Sequence, residues 1–183
     1  MALPARRTSL ASPYDYGNVT KVFVVNDLNR NNADQIAAAF RELFFAAKGG
    51  ALGLFTAISR LRAIHQRLAA AMDEAGLGLY AQHMDALDTG TLVDIFRAEE
   101  DACLLGTDAV RDGVDVPGGS LRLIVFDRVP WPRPSILHKS RKSSFGGSKY
   151  DDMLTRLKLK QAYGRLIRRN SDRGGVVMLD SAL

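Results

Sequence analysis

The sequence is poor in the residues that build disulfides and metal clusters. Cys103 is the only cysteine among 183 residues, which excludes an internal disulfide and any zinc or iron–sulfur site built from several cysteines of this chain. The three histidines, His65, His83 and His138, lie in different segments with no carboxylate or cysteine at ligand spacing, which argues against a metal site. Cys103 lies inside an apolar stretch, so we expect it in the core and not as a nucleophile.

Long hydrophobic runs are also missing. No apolar stretch approaches the roughly 20 residues that a membrane span needs, and the first 12 residues lack the continuous apolar core of a signal peptide. We therefore expect a cytoplasmic protein with no membrane partner. The chain has no GxSxG elbow and no GxxxxGK[ST] phosphate loop, since the run FGGSK at 145–149 lacks that spacing.

Composition is that of one globular domain with a basic surface. Hydrophobic residues make up 46% of the chain and charged residues 25%, a balance typical of folded and not of disordered proteins. The net charge is +5 and the sequence pI is about 9.6. A polyanionic partner is favoured, with nucleic acid as the first hypothesis and an anionic membrane surface as the second.

Apolar segments typical of strands alternate along the chain with segments of helical periodicity. Strands are predicted at 19–25, 51–56, 77–82, 102–107, 121–127 and 174–180. Helices are predicted around 36–47, 61–72, 92–96 and 150–169. This order predicts an α/β fold with a mostly parallel central sheet and helices on both faces. Residues 1–11 read as a tail, and the Pro-rich, basic stretch 130–150 reads as a small helical excursion.

A cluster of arginines follows a glutamine and a glycine near the end of the last predicted helix. On a helix, Gln161, Arg165 and Arg168 project from one face because they are spaced four and three residues apart. Guanidinium groups suit phosphate oxygens, although a solvated basic face is the simpler interpretation of most charge clusters. Gly164, a poor helix former, favours close backbone approach at this point.

Polar residues end several predicted strands, where ligands of parallel sheets gather: Thr56, Gln82, Thr107 and Asp127. The loop after Thr107 holds Gly113 and Asp115, which suit a phosphate and a sugar hydroxyl, but an ordinary surface turn explains the loop equally well. Thr56 and Ser59 could cap the next helix, bind backbone phosphates, or do both. Trp131 could stack on a base or serve as a local packing anchor.

Three blocks in this order resemble one family: LLGTDAVRDGVDVPG, LIVFDRVPWPRP and RLKLKQAYGRLIRRNSDRGGVVMLD. They are similar to the C-terminal motor domain of DinG-type superfamily 2 DNA helicases, relatives of the XPD helicases. SPYDY at 12–16 and ALGLFTAISRLRAI at 51–64 also look like the start of that domain, so the likeness covers residues 12–183. The resemblance implies the second RecA-like domain of a helicase, a three-layer sandwich related to P-loop NTPases.

The resemblance also implies roles for individual residues. Arg165 and Arg168, assisted by Gln161, would be the catalytic residues that reach the γ-phosphate of ATP held by the first RecA-like domain. Gly113 and Asp115 would lie near the nucleotide. Contacts to single-stranded DNA would come from the strand ends and the loops after them: Thr56, Ser59, Arg60, Gln82, Thr107 and Trp131. ATP and Mg²⁺ would be bound mainly by the first domain, with no metal bound by this chain.

Two features differ from the family pattern. Relatives often have an aromatic residue and Glu where this chain has Arg111 and Asp112, and often a glycine where it has His83. The P-loop and the DEAH-type magnesium box of the first motor domain are not among these residues, so we expect half of a motor that is inactive alone. The alternatives are a non-catalytic nucleic-acid-binding module and a domain that lends its arginines in trans to regulate a partner ATPase.

Overall fold

One parallel sheet organises the protein. The computed structural model describes residues 8, 10, 12, 14–107, 110, 115–116 and 118–180. The strands of this part of the chain are β1 (Thr20–Val24), β2 (Ala51–Leu54), β3 (Leu79–Ala81), β4 (Cys103–Gly106), β5 (Leu123–Phe126) and β6 (Gly174–Met178). They pair in the order β1-β6-β5-β2-β4-β3, and every pair is parallel. The predicted α/β class is confirmed.

Helices connect the strands. They are α1 (Tyr16–Val19), α2 (Ala33–Ala47), α3 (Ile58–Glu74), α4 (Thr89–Ala98), α5 (Ile136–Ser144) and α6 (Ser148–Leu166), with a 3₁₀ turn at Gly118–Ser120. Asn32 and Asp88 begin α2 and α4, and each side chain accepts hydrogen bonds from two backbone N–H groups of the first turn. No helix of the described ranges is long and apolar enough to cross a bilayer.

The core lies in two layers, one on each face of the sheet. Phe40 and Phe44 of α2 and Leu61 of α3 are completely buried against one face. Phe96 of α4 and Leu166 of α6 are buried against the other. Strands covered on both sides need apolar residues at every position, and all residues of β2, β4 and β5 are buried. The result is the three-layer sandwich expected of a RecA-like domain.

Cys103 lies in this core, as predicted. It is the first residue of β4 and completely buried. Burial raises the pKa of its thiol to about 12, because a thiolate would lose its hydration there. A side chain that stays a neutral thiol is not a nucleophile.

β1 forms one outer edge of the sheet and is unusually apolar for an edge. Among the described residues it pairs only with β6. Val22, Phe23 and Val24 are each about half exposed, and because successive side chains of a strand alternate, both faces of β1 present apolar surface.

Candidate functional site

Polar residues follow two neighbouring strands at the carboxyl edge of the sheet. Gln82 follows β3 and Thr107 follows β4, and the two side chains meet. The Gln82 Oε1 atom accepts hydrogen bonds from the Thr107 backbone N–H at 3.0 Å and from the Thr107 hydroxyl at 2.8 Å. The Gln82 amide nitrogen donates to the hydroxyl of Thr89, at the start of α4, at 3.2 Å. Gln82 is buried, so it joins two strand ends to one helix.

This arrangement constrains the predicted role of Thr107. Both of its hydrogen-bond donors point at Gln82 Oε1. A phosphate oxygen is only an acceptor, so it can bind Thr107 through these donors only by taking the place of the Gln82 oxygen. The contacts of Thr107 and Gln82 with DNA therefore stay predictions, and Gln82 acts in this structure as the partner that orients Thr107.

The start of α3 differs from one expectation. Its first turn follows Ala57, and no side chain caps it. The prediction that Thr56 and Ser59 cap this helix is therefore wrong. The segment is instead tied down by Arg133, whose Nη2 donates to the Thr56 carbonyl oxygen. Ser59 is exposed, which leaves its hydroxyl and the uncapped N-terminus facing solvent.

Arg60 is committed to a buried carboxylate. Its Nε and Nη2 donate to the two oxygens of Asp127 at 2.6 and 2.5 Å. Asp127 follows β5 and is completely buried, whereas Arg60 is about one-fifth exposed. The hydrogen bond to Asp127 is the largest cause of the raised pKa of Arg60. A bidentate pair of this kind fixes the start of α3 against β5, and any DNA contact by Arg60 would have to use its remaining nitrogen.

Trp131 lies in the segment between β5 and α5. Its side chain is 41% exposed, and its backbone N–H donates to the Val129 carbonyl at 2.8 Å. The side chain is thus partly accessible to solvent, and the predicted stacking of Trp131 on a base stays a prediction.

The arginine cluster lies at the opposite, amino edge of the sheet. Leu166, the last residue of α6, packs on Gly174, the first residue of β6. A Cβ atom at Gly174 would lie 2.6 Å from the Leu166 side chain and 2.7 Å from the Arg122 carbonyl oxygen. Only glycine permits that approach, which holds the end of α6 beside the start of β6.

The predicted helical face is partly wrong. α6 ends at Leu166, and Ile167 is extended, so Gln161 and Arg165 share the helix but Arg168 lies beyond it. The carboxylate of Asp172 accepts from the backbone N–H groups of Arg168 and Arg169 at 2.8 and 2.7 Å. Sequence analysis missed Asp172, although the polar run NSDRG before a strand indicated a turn there.

Arg168 meets the other predicted nucleotide-binding residue. Its Nη2 lies 3.2 Å from Oδ1 of Asp115, and the two side chains are 34% and 65% exposed. Its Nε is buried and has no hydrogen-bond partner among the described residues, and its carbonyl oxygen accepts from the Tyr14 hydroxyl at 2.7 Å. Gly113 lies outside the described residues.

Gln161 is exposed and Arg165 is half-buried in the last turn of α6. A Cβ atom at Gly164 would meet nothing within 4 Å, so no contact within the described chain requires a glycine there. Among the described residues, no three His, Cys, Asp or Glu side chains are grouped closely enough to hold a metal ion.

Comparison with known proteins identifies the family. The sequence profile of the "Helicase C-terminal domain" matches residues 40–183, which include the Gln82–Thr107 pair and the arginine cluster described above. The chain belongs to this helicase C-terminal domain family. It is 34% identical to the "ATP-dependent helicase DinG" of Mycobacterium tuberculosis (strain H37Rv) over 98% of its own length. It is 31% identical to the "ATP-dependent DNA helicase YoaA" of Escherichia coli over 95% and 28% identical to the "3'-5' exonuclease DinG" of Bacillus subtilis over 96%.

The chain spans 28% of the length of the mycobacterial and E. coli relatives and 20% of the Bacillus one. Solved structures agree on the fold. A structure titled "XPD_Helicase" matches 88% of this chain with a TM-score of 0.66 at 17% identity, and the chain covers 31% of it. The structure of Xpd4 of S. tokodaii matches 89% with a TM-score of 0.65 at 12% identity, and the chain covers 34% of it. The resemblance to DinG-type helicases is confirmed, and the XPD structures share the fold of this chain.

His83 fits the family pattern in backbone conformation if not in residue type. It follows Gln82 directly and has a φ of 68°, a left-handed conformation that glycine adopts without strain. The resemblance implied that relatives often carry glycine at this position. The structure supplies the physical reason, because the chain turns sharply here after the buried strand end.

Proposed function

We propose that this helicase C-terminal domain is the second motor domain of an ATP-dependent DNA helicase. In this proposal ATP and Mg²⁺ are bound mainly by the first RecA-like domain, and single-stranded DNA crosses the carboxyl edge of the present sheet. ATP hydrolysis is coupled to translocation on DNA and to duplex unwinding, in DNA repair or replication. The names of the relatives as ATP-dependent helicases support this reading.

The ion pair between Arg168 and Asp115 carries the proposal. It joins two residues, 53 positions apart, that were each assigned to the nucleotide from separate blocks. An ion pair with this much exposure contributes only about 0–1 kcal/mol. Asp115 can therefore hold Arg168 in place and release it to a phosphate at little cost. Because the loop holding Arg168 is fixed by Asp172, the guanidinium has a defined starting position.

Arg168 and Arg165 would stabilise the negative charge that develops on phosphate oxygens during phosphoryl transfer, with Gln161 assisting. Guanidinium groups suit this task because they remain charged and offer donors in a fixed plane. Thr56, Ser59, Thr107 and Trp131 would line the DNA path, with Gln82 orienting Thr107. The chain itself holds no phosphate loop, so we expect negligible ATP hydrolysis from the isolated chain.

The test is DNA-stimulated ATP hydrolysis in a protein that joins this domain to a P-loop motor domain of its family. Arg168→Ala is expected to lower the hydrolysis rate by about 10³- to 10⁵-fold, as for other arginines that complete an ATP site in trans. Arg169→Ala is the matched control, because Arg169 is the exposed neighbour of Arg168 and its replacement removes the same charge. It should leave the rate within a few fold.

The alternative is a non-catalytic nucleic-acid-binding or regulatory module with the same fold. It predicts that Arg168→Ala weakens single-stranded DNA binding and leaves no hydrolysis to lose, whereas a motor keeps DNA binding and loses hydrolysis. Equal loss in the Arg168 and Arg169 variants would contradict the proposal. So would strong DNA-stimulated ATP hydrolysis by the isolated 183-residue chain.

A further inference from the structure

The positive charge of the chain is concentrated in one segment whose cations have no part in the proposed motor function. Residues 128–160 contain nine Lys or Arg and two Asp, a net charge of +7, whereas the whole chain carries +5. The rest of the chain is therefore slightly acidic. This segment comprises α5, α6 as far as residue 160, and the stretch that leads into them, so the basic character read from composition belongs to this helical pair.

Most of these cations are available to a partner. Five are exposed and make no ion pair with any described residue: Lys139, Arg141, Lys149, Arg156 and Lys160. Lys139 and Arg141 lie on α5, and Lys149 lies in the first turn of α6. These three cations of two helices thus lie within six residues of the turn at 145–147. Charged residues of a helix usually only face solvent, but three other features distinguish this turn from an ordinary solvated surface.

The first feature is a row of aromatic rings at the turn. The ring of Tyr150 stacks with both His138 and Phe145, with ring centroids 5.8 Å apart in each pair and interplanar angles of 25° and 28°. Phe145 is 67% exposed. A large apolar side chain held flat by a second ring and open to solvent is a surface on which a base can stack. We call these three rings the aromatic tip.

The second feature is the rigidity of the aromatic tip. Nζ of Lys142 donates to Oδ2 of Asp151 at 2.5 Å, and Nε2 of His138 lies 2.8 Å from Oδ1 of the same carboxylate, so Asp151 ties α5 to the first turn of α6. Lys142 is the largest cause of the lowered pKa of Asp151. The turn is closed by two glycines with φ of 97° and 65°, Gly146 and Gly147. A stacking surface that is already ordered loses little entropy when a base binds.

The third feature is the position of the aromatic tip. α6 has 19 residues and is about 28 Å long, whereas the five residues of β6 span about 16 Å. The end of α6 is fixed beside the amino end of β6 by Gly174, so its beginning projects beyond the carboxyl edge. Arg133, just before α5, binds the carbonyl oxygen of Thr56 at that same edge. The aromatic tip therefore lies on the side of the sheet that holds Gln82 and Thr107.

We propose that the aromatic tip and its cations form a second single-stranded DNA contact, in which Phe145 stacks on a base and Lys139, Arg141 and Lys149 bind the flanking phosphates. The contact is separate from the strand-end residues and requires neither ATP nor a partner domain. This part of the inference rests on the proposed motor function: the contact extends its DNA path past the carboxyl edge, so a base leaving or entering that path is held by stacking. The contact reads no sequence, because every base offers a π face.

The test is binding of the isolated chain to a fluorescent oligothymidylate, followed by anisotropy over a range of salt concentrations. Phe145→Leu keeps the apolar side chain but removes the ring, and we expect affinity to fall by about 5-fold or more, the effect of losing one stacked base. Phe145→Tyr should restore it. The matched control is Phe23→Leu, which removes a similarly exposed ring from the distant edge strand β1 and should leave affinity unchanged.

The cations are tested by their salt dependence. The double change Lys139→Gln with Lys149→Gln should lower the slope of log Kobs against log salt by about 1.4, since each phosphate contact on a single strand contributes about 0.7. The double change Lys21→Gln with Lys48→Gln removes the same charge from exposed lysines elsewhere and should alter the slope far less. Unchanged thermal unfolding of all five variants would show that folding is not the cause.

Three results would overturn the proposal. The first is no DNA binding by the isolated chain even at low salt. The second is equal affinity in Phe145→Leu and Phe23→Leu. The third is loss of binding to phosphatidylserine vesicles in the tip variants while DNA binding is intact. Loss of ATP hydrolysis in Arg168→Ala is measured in a different protein and reaction, so the motor proposal and this contact can fail independently.

Discussion

Replacing Arg60 by alanine separates a structural role of this side chain from the DNA-binding role predicted from the sequence. Both oxygens of Asp127 are held by Arg60 and the carboxylate is completely buried. Removing the arginine leaves a buried charge without compensation, which costs about 3–5 kcal/mol. For a domain of this size the melting temperature should fall by about 6–20 °C.

The chain offers a matched control on the same helix. Arg67 binds Asp34 at 2.6 Å, but these side chains are 40% and 82% exposed. Arg67→Ala should therefore cost about 0–1 kcal/mol, although the distance is the same as for Arg60. Replacing both buried partners by apolar residues, in Arg60→Met with Asp127→Leu, should recover most of the stability because no charge remains to desolvate.

The assay is urea denaturation followed by circular dichroism, with thermal unfolding as a second measurement. If Arg60→Ala and Arg67→Ala lose the same small amount, burial does not set the strength of the Arg60 pair and the argument is wrong. If Arg60→Ala leaves the free energy of unfolding unchanged and weakens binding to single-stranded DNA, Arg60 contacts DNA, as predicted from the sequence, and has no structural role.

Three further expectations follow from groups that lie wholly or partly in the interior. Gln82→Leu should lower the free energy of unfolding by about 1–3 kcal/mol, because it leaves Thr107 donors without a partner; an unchanged urea midpoint would contradict this. Burial lowers the pKa of His65 in the folded protein, whereas the same histidine in the unfolded chain has a pKa of about 6.5. The unfolded state therefore binds more protons as the pH drops below about 6.5, and the free energy of unfolding should decrease there. His65→Gln should make this decrease smaller. Cys103 should react with iodoacetamide only after unfolding, since its thiol is buried with a pKa of about 12; modification at the rate of a free thiol in native buffer would be inconsistent with its place in β4.

The strands could be read from the sequence because their burial on both faces leaves a local signature. Continuous apolar runs bounded by polar residues marked β2, β4 and β5, and alternation with helical segments implied parallel pairing. The edge strand β1 was harder to bound, since Val19 belongs to α1 and not to the strand. Val19 is β-branched and suits a strand, yet it lies in a short turn of helix. Only tertiary contacts decide whether such a residue lies in a strand or a helix.

The arginine cluster shows why the site was harder to predict than the fold. Leu166 and Ile167 continue the apolar pattern of the helix, and arginine is a good helix former, so nothing local indicates that α6 stops before Arg168. The helix ends there because the carboxylate of Asp172 accepts hydrogen bonds from the backbone N–H groups of Arg168 and Arg169.

The pairing of Arg60 with Asp127 joins residues 67 positions apart, a separation that no local pattern reveals. A charged residue closing a wholly apolar strand was the one available hint, because a buried carboxylate needs a partner.

The exposed edge β1 has a consequence for the protein in solution. It presents one row of backbone donors and acceptors with no strand partner among the described residues, flanked on both faces by apolar side chains. Edges of this kind allow molecules to add strand to strand, and natural proteins usually block them with charge or proline. Lys21 is the only charge within β1, so repulsion between molecules depends largely on the net charge of +5. Salt screens this repulsion beyond about 8 Å at physiological ionic strength. The salt that releases this chain from DNA therefore also removes the repulsion that keeps its copies apart.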